Sequence, residues 1–257
     1  MLKIRVIPTL LWKDYGLVKG VGFDSWRRIG TVLPAIKVYN TRHVDELILM
    51  DITATAKKKN PDYFSLSEFV EECFVPLTFG GGIHGIDQIK KLLRAGVDKV
   101  AINSAAYENI DIIKQASSYF GSQCIVASID ARKVGLEKWE CFSHCGTKST
   151  GCEPGEWAGK LEKNGAGEIL ITSIEKDGCM KGYDLELIKQ VSSKVKIPVI
   201  ASGGAGNYNH FSEALKLGGA SAIAAASMFH FSELTPAGAK NFLEGHGFPV
   251  RLVRNSY

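Results

Sequence analysis

The stretch that decides the fold occurs twice in the chain. Residues 76–106 read PLTFGGGIHGIDQIKKLLRAGVDKVAINSAA, and residues 198–228 read PVIASGGAGNYNHFSEALKLGGASAIAAASM. They align without a gap at an offset of 122 residues (198 − 76 = 122). The alignment pairs three glycines with three others: Gly81 with Gly203, Gly82 with Gly204 and Gly96 with Gly218. Such internal similarity predicts two related halves, the second beginning near Gly121.

Eight β-rich runs alternate with amphipathic helical patterns along the chain. The runs are IRVIPTLL (4–11), ELILMDITAT (46–55), PLTFGGG (76–82), KVAINS (99–104), CIVASID (124–130), EILITS (168–173), PVIASGG (198–204) and AIAAAS (222–227). Strand–helix alternation is typical of parallel sheets, and eight units favour closure. We therefore expect an α/β fold, a (β/α)8 TIM barrel formed as a single domain by residues 1–257.

Composition argues against several classes of protein. Lys and Arg exceed Asp and Glu by only 31 to 27, which suits an anionic metabolite and is too little for nucleic-acid binding. The sequence has neither a transmembrane-length apolar run nor a signal-peptide pattern at its start. We therefore expect a cytoplasmic protein without membrane or nucleic-acid partners. Its six cysteines are expected to be free thiols, and no cofactor is predicted.

One cysteine-rich segment leaves a metal site open as an alternative. ECFSHCGTKSTGC (140–152) contains three soft thiol ligands and one imidazole, which together suit tetrahedral zinc. These residues are Cys141, His144, Cys145 and Cys152. Their spacing is not a common zinc pattern, so we favour loop cysteines and predict no metal.

The duplicated glycine turns predict two anion sites. Glycine at a strand end lets the backbone approach an anion and leaves N–H groups free for phosphate oxygens. The next strand of each half ends in small residues, with Ser104 in the first half and Ser227 in the second. We expect two phosphate cradles that face each other across the barrel mouth and suit a ligand with phosphate at both ends. The alternative is that the glycines only shape tight turns.

Three carboxylates follow or end predicted strands: Asp51, Asp130 and Asp177. A carboxylate at the C-terminal end of a barrel strand points into the mouth, where it can transfer a proton or hold a ligand hydroxyl. We assign Asp130 as the catalytic residue. Asp51 and Asp177 are ligand-binding candidates, with loop structuring as the alternative for both.

These motifs resemble the cyclase subunit of imidazole glycerol phosphate synthase, the HisF family, a barrel that receives ammonia from a glutaminase and closes an imidazole ring. The resemblance spans about residues 4–252. It rests on ordered motifs that include LMDITAT (49–55), FGGGIH (79–84), DKVAIN (98–103), FGSQ (120–123), SIDARK (128–133), GAGEILITS (165–173), DGCMKGYD (177–184) and IASGGAG (200–206). A related histidine-pathway isomerase shares the repeat, but FGSQ, SIDARK and the C-terminal HGFPVRL (246–252) fit the cyclase better.

The resemblance implies three sets of residues that spacing alone does not assign. The phosphates would be held by Gly82, Asn103 and Ser104 and by Gly178, Gly204 and Ser227, with Lys19 covering the ligand from a mobile loop after the first strand. The ammonia gate at the strand N-termini would be Arg5, Glu46, Lys99 and Glu168. The face that docks the glutaminase would present, in turns, Asp98, the exposed aromatic Phe120, and Gln123.

Charged residues inside a barrel call for an explanation of their own. Such side chains are rarely buried unless they are paired, and a salt-bridged ring would satisfy them. We expect a functional gate, with a purely structural plug as the alternative.

One departure from the family bears on function. The family's first strand ends in a catalytic Asp, and the internal repeat independently expects a carboxylate there, yet this chain has Leu11. Leucine cannot transfer a proton, so cyclisation should be poor. We therefore expect a HisF-like subunit of a glutamine amidotransferase system that serves surface-sugar (lipopolysaccharide-type) biosynthesis, as similar barrels with this altered strand do.

Two alternatives stay open. The first is histidine biosynthesis, with Asp130 acting alone or with Asp177 or Asp14 in place of the missing carboxylate. The second is a phosphate-binding scaffold without catalysis, which would leave the charged ring unexplained.

Overall fold

The computed structural model describes residues 3–14 and 16–252 and shows a closed barrel of eight parallel strands. The barrel strands are β1 (Arg5–Lys13), β4 (Leu47–Asp51), β5 (Leu77–Gly80), β6 (Lys99–Ile102), β7 (Ile125–Gly135), β10 (Glu168–Ser173), β11 (Val199–Ser202) and β12 (Ala222–Ala225). Pairing of β7 with β10 and of β12 with β1 closes the ring. The predicted (β/α)8 TIM barrel is confirmed. Residues 1, 2, 15 and 253–257 of the predicted domain lie outside the described residues.

Helices connect the barrel strands and cover the outside of the sheet. They are α1 (Val32–Thr41), α2 (Tyr63–Glu71), α3 (Ile86–Arg94), α4 (Ser104–Glu108), α5 (Asp111–Phe120), α6 (Pro154–Lys163), α7 (Leu185–Ser192), α8 (Tyr208–Lys216), α9 (Ser227–Phe231) and α10 (Pro236–Gly245), with a 3-10 helix at Ser122–Cys124. Several begin at a capping side chain, as where Asp184 accepts from the Leu187 N–H. Among the described residues, no helix is long and apolar enough to cross a bilayer.

Two hairpins extend the barrel on the side of the strand C-termini. After β1, strands β2 (Gly16–Val21) and β3 (Asp24–Gly30) form an antiparallel pair. After the barrel portion of β7, the chain continues into β8 (Lys138–Ser143) and β9 (Lys148–Ser149). The expectation that Lys19 lies in a mobile loop is therefore wrong, because Lys19 lies on β2. Its side chain is buried and lines the cavity at the barrel mouth.

The internal repeat is visible in the structure, but its gapless alignment is wrong. Strands β5 and β11 are offset by 122 residues (199 − 77), whereas β6 and β12 are offset by 123 (222 − 99). The extra residue lies where α8 ends. The left-handed glycine that follows α3 is Gly96 (φ 98°), and its counterpart after α8 is Gly219 (φ 72°), not Gly218. Each turn needs one glycine in this conformation, so the geometry pairs Gly96 with Gly219.

The barrel interior contains its own apolar layer. Its fully enclosed side chains come from every strand except β5: Ile7, Ile48, Ala101, Val126, Leu170, Ile200, Ala222 and Ala224. A larger apolar cluster fills the space between the sheet and the helices. The interior layer separates the mouth at the strand C-termini from the opposite end, so the two ends can carry different chemistry.

Candidate active site

A cavity occupies the barrel mouth. Each of the eight barrel strands contributes lining residues, either from the strand itself or from the residues that follow it. The predicted residues that it brings together are Lys19, Asp51, Gly82, Asn103, Ser104, Asp130, Asp177, Gly178, Gly204 and Ser227, and Leu11 lines it too. Their assigned roles stay predictions, but a single ligand could reach all of them.

Leu11 and Asp130 occupy equivalent positions in the two halves of the barrel. Leu11 is paired in register with Met50 on β4, and Asp130 is paired with Thr172 on β10. Thr172 lies 122 residues after Met50 (172 − 50 = 122), which is the offset of the repeat in these strands. The carboxylate that symmetry expects opposite Asp130 is therefore replaced by an apolar side chain that faces the same cavity.

Asp130 has the electrostatics of a proton-transfer group. Burial, together with the negative charge of Asp177, raises the pKa of its carboxyl to about 7. Its Oδ2 accepts a hydrogen bond from Asn103 Nδ2 at 2.9 Å. A carboxyl that titrates near neutral pH in a cavity can take up and release protons efficiently.

Asp177 faces both Asp130 and Lys19. Burial raises the pKa of Asp177, while Lys19 and the Gly178 N–H oppose that shift. The Gly22 N–H donates to the Asp177 carbonyl at 2.9 Å, which ties the β2–β3 hairpin to this loop. A Cβ on Gly178 would lie 2.0 Å from the Gly20 carbonyl oxygen, so only glycine permits this close approach.

The two glycine turns line opposite parts of the cavity, and both adopt left-handed backbone conformations. Gly82 (φ 69°) and Gly204 (φ 114°) each lie where a Cβ would meet a main-chain oxygen, at 2.6 and 2.2 Å respectively. The Gly82 N–H donates to Thr55 Oγ1 at 3.3 Å, and Ser104 Oγ accepts from the His144 N–H at 2.9 Å. These long or replaceable contacts could be exchanged for phosphate oxygens on binding.

Two buried polar atoms of cavity-lining residues have no partner among the described residues. They are Thr9 Oγ1 and Asn103 Oδ1. Buried polar groups are normally satisfied by protein, water or ligand, so these atoms indicate where a polar ligand group fits.

The remaining candidate carboxylates have structural contacts. One oxygen of Asp51 accepts from the N–H and hydroxyl of Thr53 and from the Ala54 N–H, so Asp51 shapes its loop while also lining the cavity. Asp14 is exposed and forms an ion pair with Lys57. Asp14 therefore offers no geometry for replacing a carboxylate at position 11.

A ring of four charges closes the opposite end of the barrel. Arg5 Nη1 contacts Glu46 at 2.7 Å and Glu168 at 2.8 Å, and Lys99 Nζ contacts the same two carboxylates at 3.1 and 3.2 Å. Each cation thus bridges both anions, and none of the four side chains exceeds 19% exposure. The arrangement compensates the desolvation of all four groups.

Similarity to known proteins assigns the chain to a family. The model of a family described as "Histidine biosynthesis protein" matches residues 5–235. The chain belongs to this histidine biosynthesis family. It is 48% identical, over all 257 of its residues and 98% of the relative, to the imidazole glycerol phosphate synthase subunit HisF of Endomicrobium trichonymphae.

The comparisons favour the histidine-pathway alternative over the surface-sugar expectation. The family description names histidine biosynthesis, and the relative's name is that of an imidazole glycerol phosphate synthase subunit. Neither mentions surface sugars. The resemblance to HisF is confirmed. Leu11 stands where the resemblance implies a catalytic Asp, so membership of this family does not by itself establish a second proton-transfer group beside Asp130.

The three residues of the expected docking face are only partly placed as predicted. Asp98 and Gln123 are exposed, but Gln123 lies in the 3-10 helix and Phe120 is the last residue of α5. Phe120 packs partly into the core because it lies on the inner side of the helix end, so its expected exposure in a turn is wrong. The exposed aromatic there is Tyr119, at 72%.

The cysteine segment forms the hairpin after β7. Among the described residues, no group of three His, Cys, Asp or Glu side chains is placed to hold a metal. Burial raises the pKa of Cys141 to about 12 and that of Cys145 to about 11, so both thiols stay protonated at neutral pH.

Sequence reasoning missed several residues of the cavity wall, notably Phe23 and Trp26 of the first hairpin. The hairpin brings them over the mouth, which neither strand-end position nor residue type predicts. Gly22, in the turn that pairs Val21 with Asp24, is a sequence signal that could have indicated the hairpin.

Proposed function

We propose that the chain is the cyclase-type subunit of an imidazole glycerol phosphate synthase and acts in histidine biosynthesis. The observation that carries the proposal is Asp130, a carboxyl with a pKa of about 7 placed between two glycine turns in the barrel mouth. The 48% identity to a HisF subunit over the full chain supports the same activity. No cofactor or metal is needed, because proton transfer and positioning can drive ammonia addition and ring closure.

The ligand is a small molecule with phosphate at both ends. Gly82, Asn103 and Ser104 hold one phosphate. Gly178, Gly204 and Ser227 hold the other. A ligand that spans both cradles would have its middle in the part of the cavity that Asp130, Asp51 and Asp177 line.

Ammonia reaches the cavity from a glutaminase partner. The ring of Arg5, Glu46, Lys99 and Glu168 lies at the end where a partner would dock, and it acts as the gate. The partner surface includes Asp98, Gln123 and the exposed Tyr119. Because Arg5 and Lys99 each contact both carboxylates, one cation can move while the other keeps the carboxylates paired. A gate requires such movement.

Growth of a cyclase-deficient histidine auxotroph tests this function. The wild-type gene, expressed together with the glutaminase encoded nearest to it, is expected to restore growth without histidine. Asp130→Asn is expected to fail and Asp14→Asn, which alters an exposed carboxylate, to succeed. Lack of growth with soluble wild-type protein would contradict the histidine assignment.

Leu11 favours a second candidate. A barrel without the first-strand carboxylate could conduct ammonia to an acceptor in surface-sugar amidation and leave imidazole formation to another protein. Co-purification and glutaminase stimulation without complementation would support this candidate. Complementation would exclude it as the principal role.

A further inference from the structure

A buried cation lies beside the strand that has lost its carboxylate. Lys19 is 3% exposed, and its Nζ donates to the Thr9 main-chain oxygen at 3.3 Å. Thr9 is two residues before Leu11 on β1, and all three residues line the cavity. The ammonium therefore lies near the end of the first strand, where the family's proton-transfer carboxylate is missing.

The groups that face Lys19 come from three elements. Thr9 on β1 provides the hydrogen-bond acceptor, Asp177 in the loop after β10 provides a negative charge, and His230 on α9 is close enough for the ammonium to affect it electrostatically. Among the described residues, no carboxylate oxygen accepts a hydrogen bond from Nζ, so N–H groups are left for a ligand in the cavity.

The surroundings of Lys19 favour proton release near neutral pH. Burial lowers the pKa of Lys19 and outweighs the opposing charge of Asp177, so that the pKa is about 8. Burial, with the charges of Lys19 and Arg42, lowers the pKa of His230 to about 4, so His230 is neutral in this range. Between about pH 7 and 8, Asp130 is mostly ionised while Lys19 is mostly protonated.

We propose that Lys19 is the second proton-transfer residue of the cyclase, acting as the general acid in place of a carboxylate at position 11 while Asp130 acts as the base. The proposal rests on the cyclase function proposed above. It assigns to Lys19 more than the covering of the ligand that the family resemblance implies.

The assignment balances for ammonia addition to a carbonyl group of the ligand. A C–N bond forms, the C=O π pair moves to oxygen, and that oxygen takes a proton from the Lys19 ammonium. Asp130 removes a proton from the new nitrogen substituent. Both residues exchange protons at matched pKa values, the condition under which acid–base catalysis is efficient.

The test is the pH dependence of ammonia-driven turnover of the synthase substrate, with rates expressed per concentration of unprotonated ammonia. Wild type is expected to rise through about pH 7 and fall through about pH 8. Lys19→Met should lower kcat by roughly 10²–10⁴-fold and abolish the falling limb. Leu11→Asp in the Lys19→Met background should recover at least about tenfold of kcat, because a carboxyl again supplies a proton.

Two further variants separate proton transfer from binding and folding. Lys19→Arg keeps the positive charge but does not release a proton, so it should keep KM and lose kcat. Lys194→Met, at an exposed surface ion pair with Glu156, should match wild type in both.

The outcomes separate this inference from the proposed function. An active wild type whose Lys19→Met variant changes only KM and keeps the falling limb overturns the role of Lys19 alone. Absence of rescue by Leu11→Asp, with folded protein by circular dichroism, overturns it as well. A wild type without ammonia-driven cyclase activity overturns both proposals.

Discussion

Asn103 donates a hydrogen bond from Nδ2 to Oδ2 of Asp130 at 2.9 Å, yet the pKa of Asp130 is raised to about 7 rather than lowered. Burial and the charge of Asp177 outweigh this hydrogen bond. The native state therefore favours the protonated carboxyl relative to the unfolded chain, whose ordinary value is 3.8. The stability from protonated Asp130 is present below pH 3.8 and is lost as pH rises through 7.

Asp130→Asn should accordingly stabilise the barrel in alkaline buffer. Asparagine is uncharged and keeps an oxygen that can accept from Asn103, so it avoids the cost of a buried carboxylate. We expect Tm to increase by at least about 2 °C at pH 8 and by less at pH 5. Differential scanning calorimetry at both values provides the measurement. An equal shift at the two pH values, or a decrease at pH 8, would contradict the electrostatic account.

The paired anion sites can be tested by crystals grown in phosphate. Wild type should show one ion beside Gly82 with Ser104 and another beside Gly204 with Ser227. Ser104→Ala should weaken only the first density and Ser227→Ala only the second, since each loses one hydroxyl donor. Ser118→Ala, whose altered hydroxyl donates to the Lys114 carbonyl on α5, serves as the control. Density at neither site in wild type would contradict the duplicated cradle.

The charged ring should contribute more to stability than a surface ion pair. Lys99→Met leaves Glu46 and Glu168 with Arg5 as their only cation in the ring, and we expect a loss of about 3 kcal/mol in the free energy of unfolding. Lys194→Met removes an exposed pair that solvent screens, so it should cost clearly less than Lys99→Met. Urea denaturation compares the two variants. Equal losses would show that the ring is not buried as the structure places it.

The proposed partner surface is best probed at Tyr119 rather than Phe120. Tyr119 is 72% exposed, whereas Phe120 packs on the core, so truncating Phe120 would mix folding with binding. Tyr119→Ala should raise the Kd for the glutaminase by about tenfold or more, measured by calorimetry. Phe64 is 76% exposed at the start of α2, near the barrel mouth, so Phe64→Ala should leave the Kd for the glutaminase unchanged. Equal effects of the two substitutions would place the partner elsewhere.

The strands of the barrel could be predicted because burial imposes regular patterns on them. The run EILITS coincides with β10, Glu168–Ser173, since every one of its side chains is buried. The parallel barrel then brings strand ends together, which is why Asp130 and the glycine turns were found from sequence.

The hairpin after β1 could not be predicted for equally physical reasons. Strand β3 is mostly exposed and has no apolar alternation, and the hairpin uses left-handed backbone at Phe23 (φ 63°) in the turn and at Ser25 (φ 55°) on β3. Residue preferences do not predict such conformations outside glycine and asparagine. Only tertiary packing places Lys19 and Trp26 at the mouth. Sequence also could not predict that Phe120 packs on the core, because an aromatic at the end of a helix can face either the core or solvent.

The most direct test of the account is the rate at which the purified chain, supplied with ammonium salt and the synthase substrate, forms imidazole glycerol phosphate at pH 7.5. We predict measurable turnover by wild type and a decrease of roughly 10²–10⁴-fold in Asp130→Asn, with phosphate binding retained, because only the proton-transfer group is lost. Product formation that is absent in wild type, or unchanged in Asp130→Asn, would contradict the claim that this cavity is a cyclase active site.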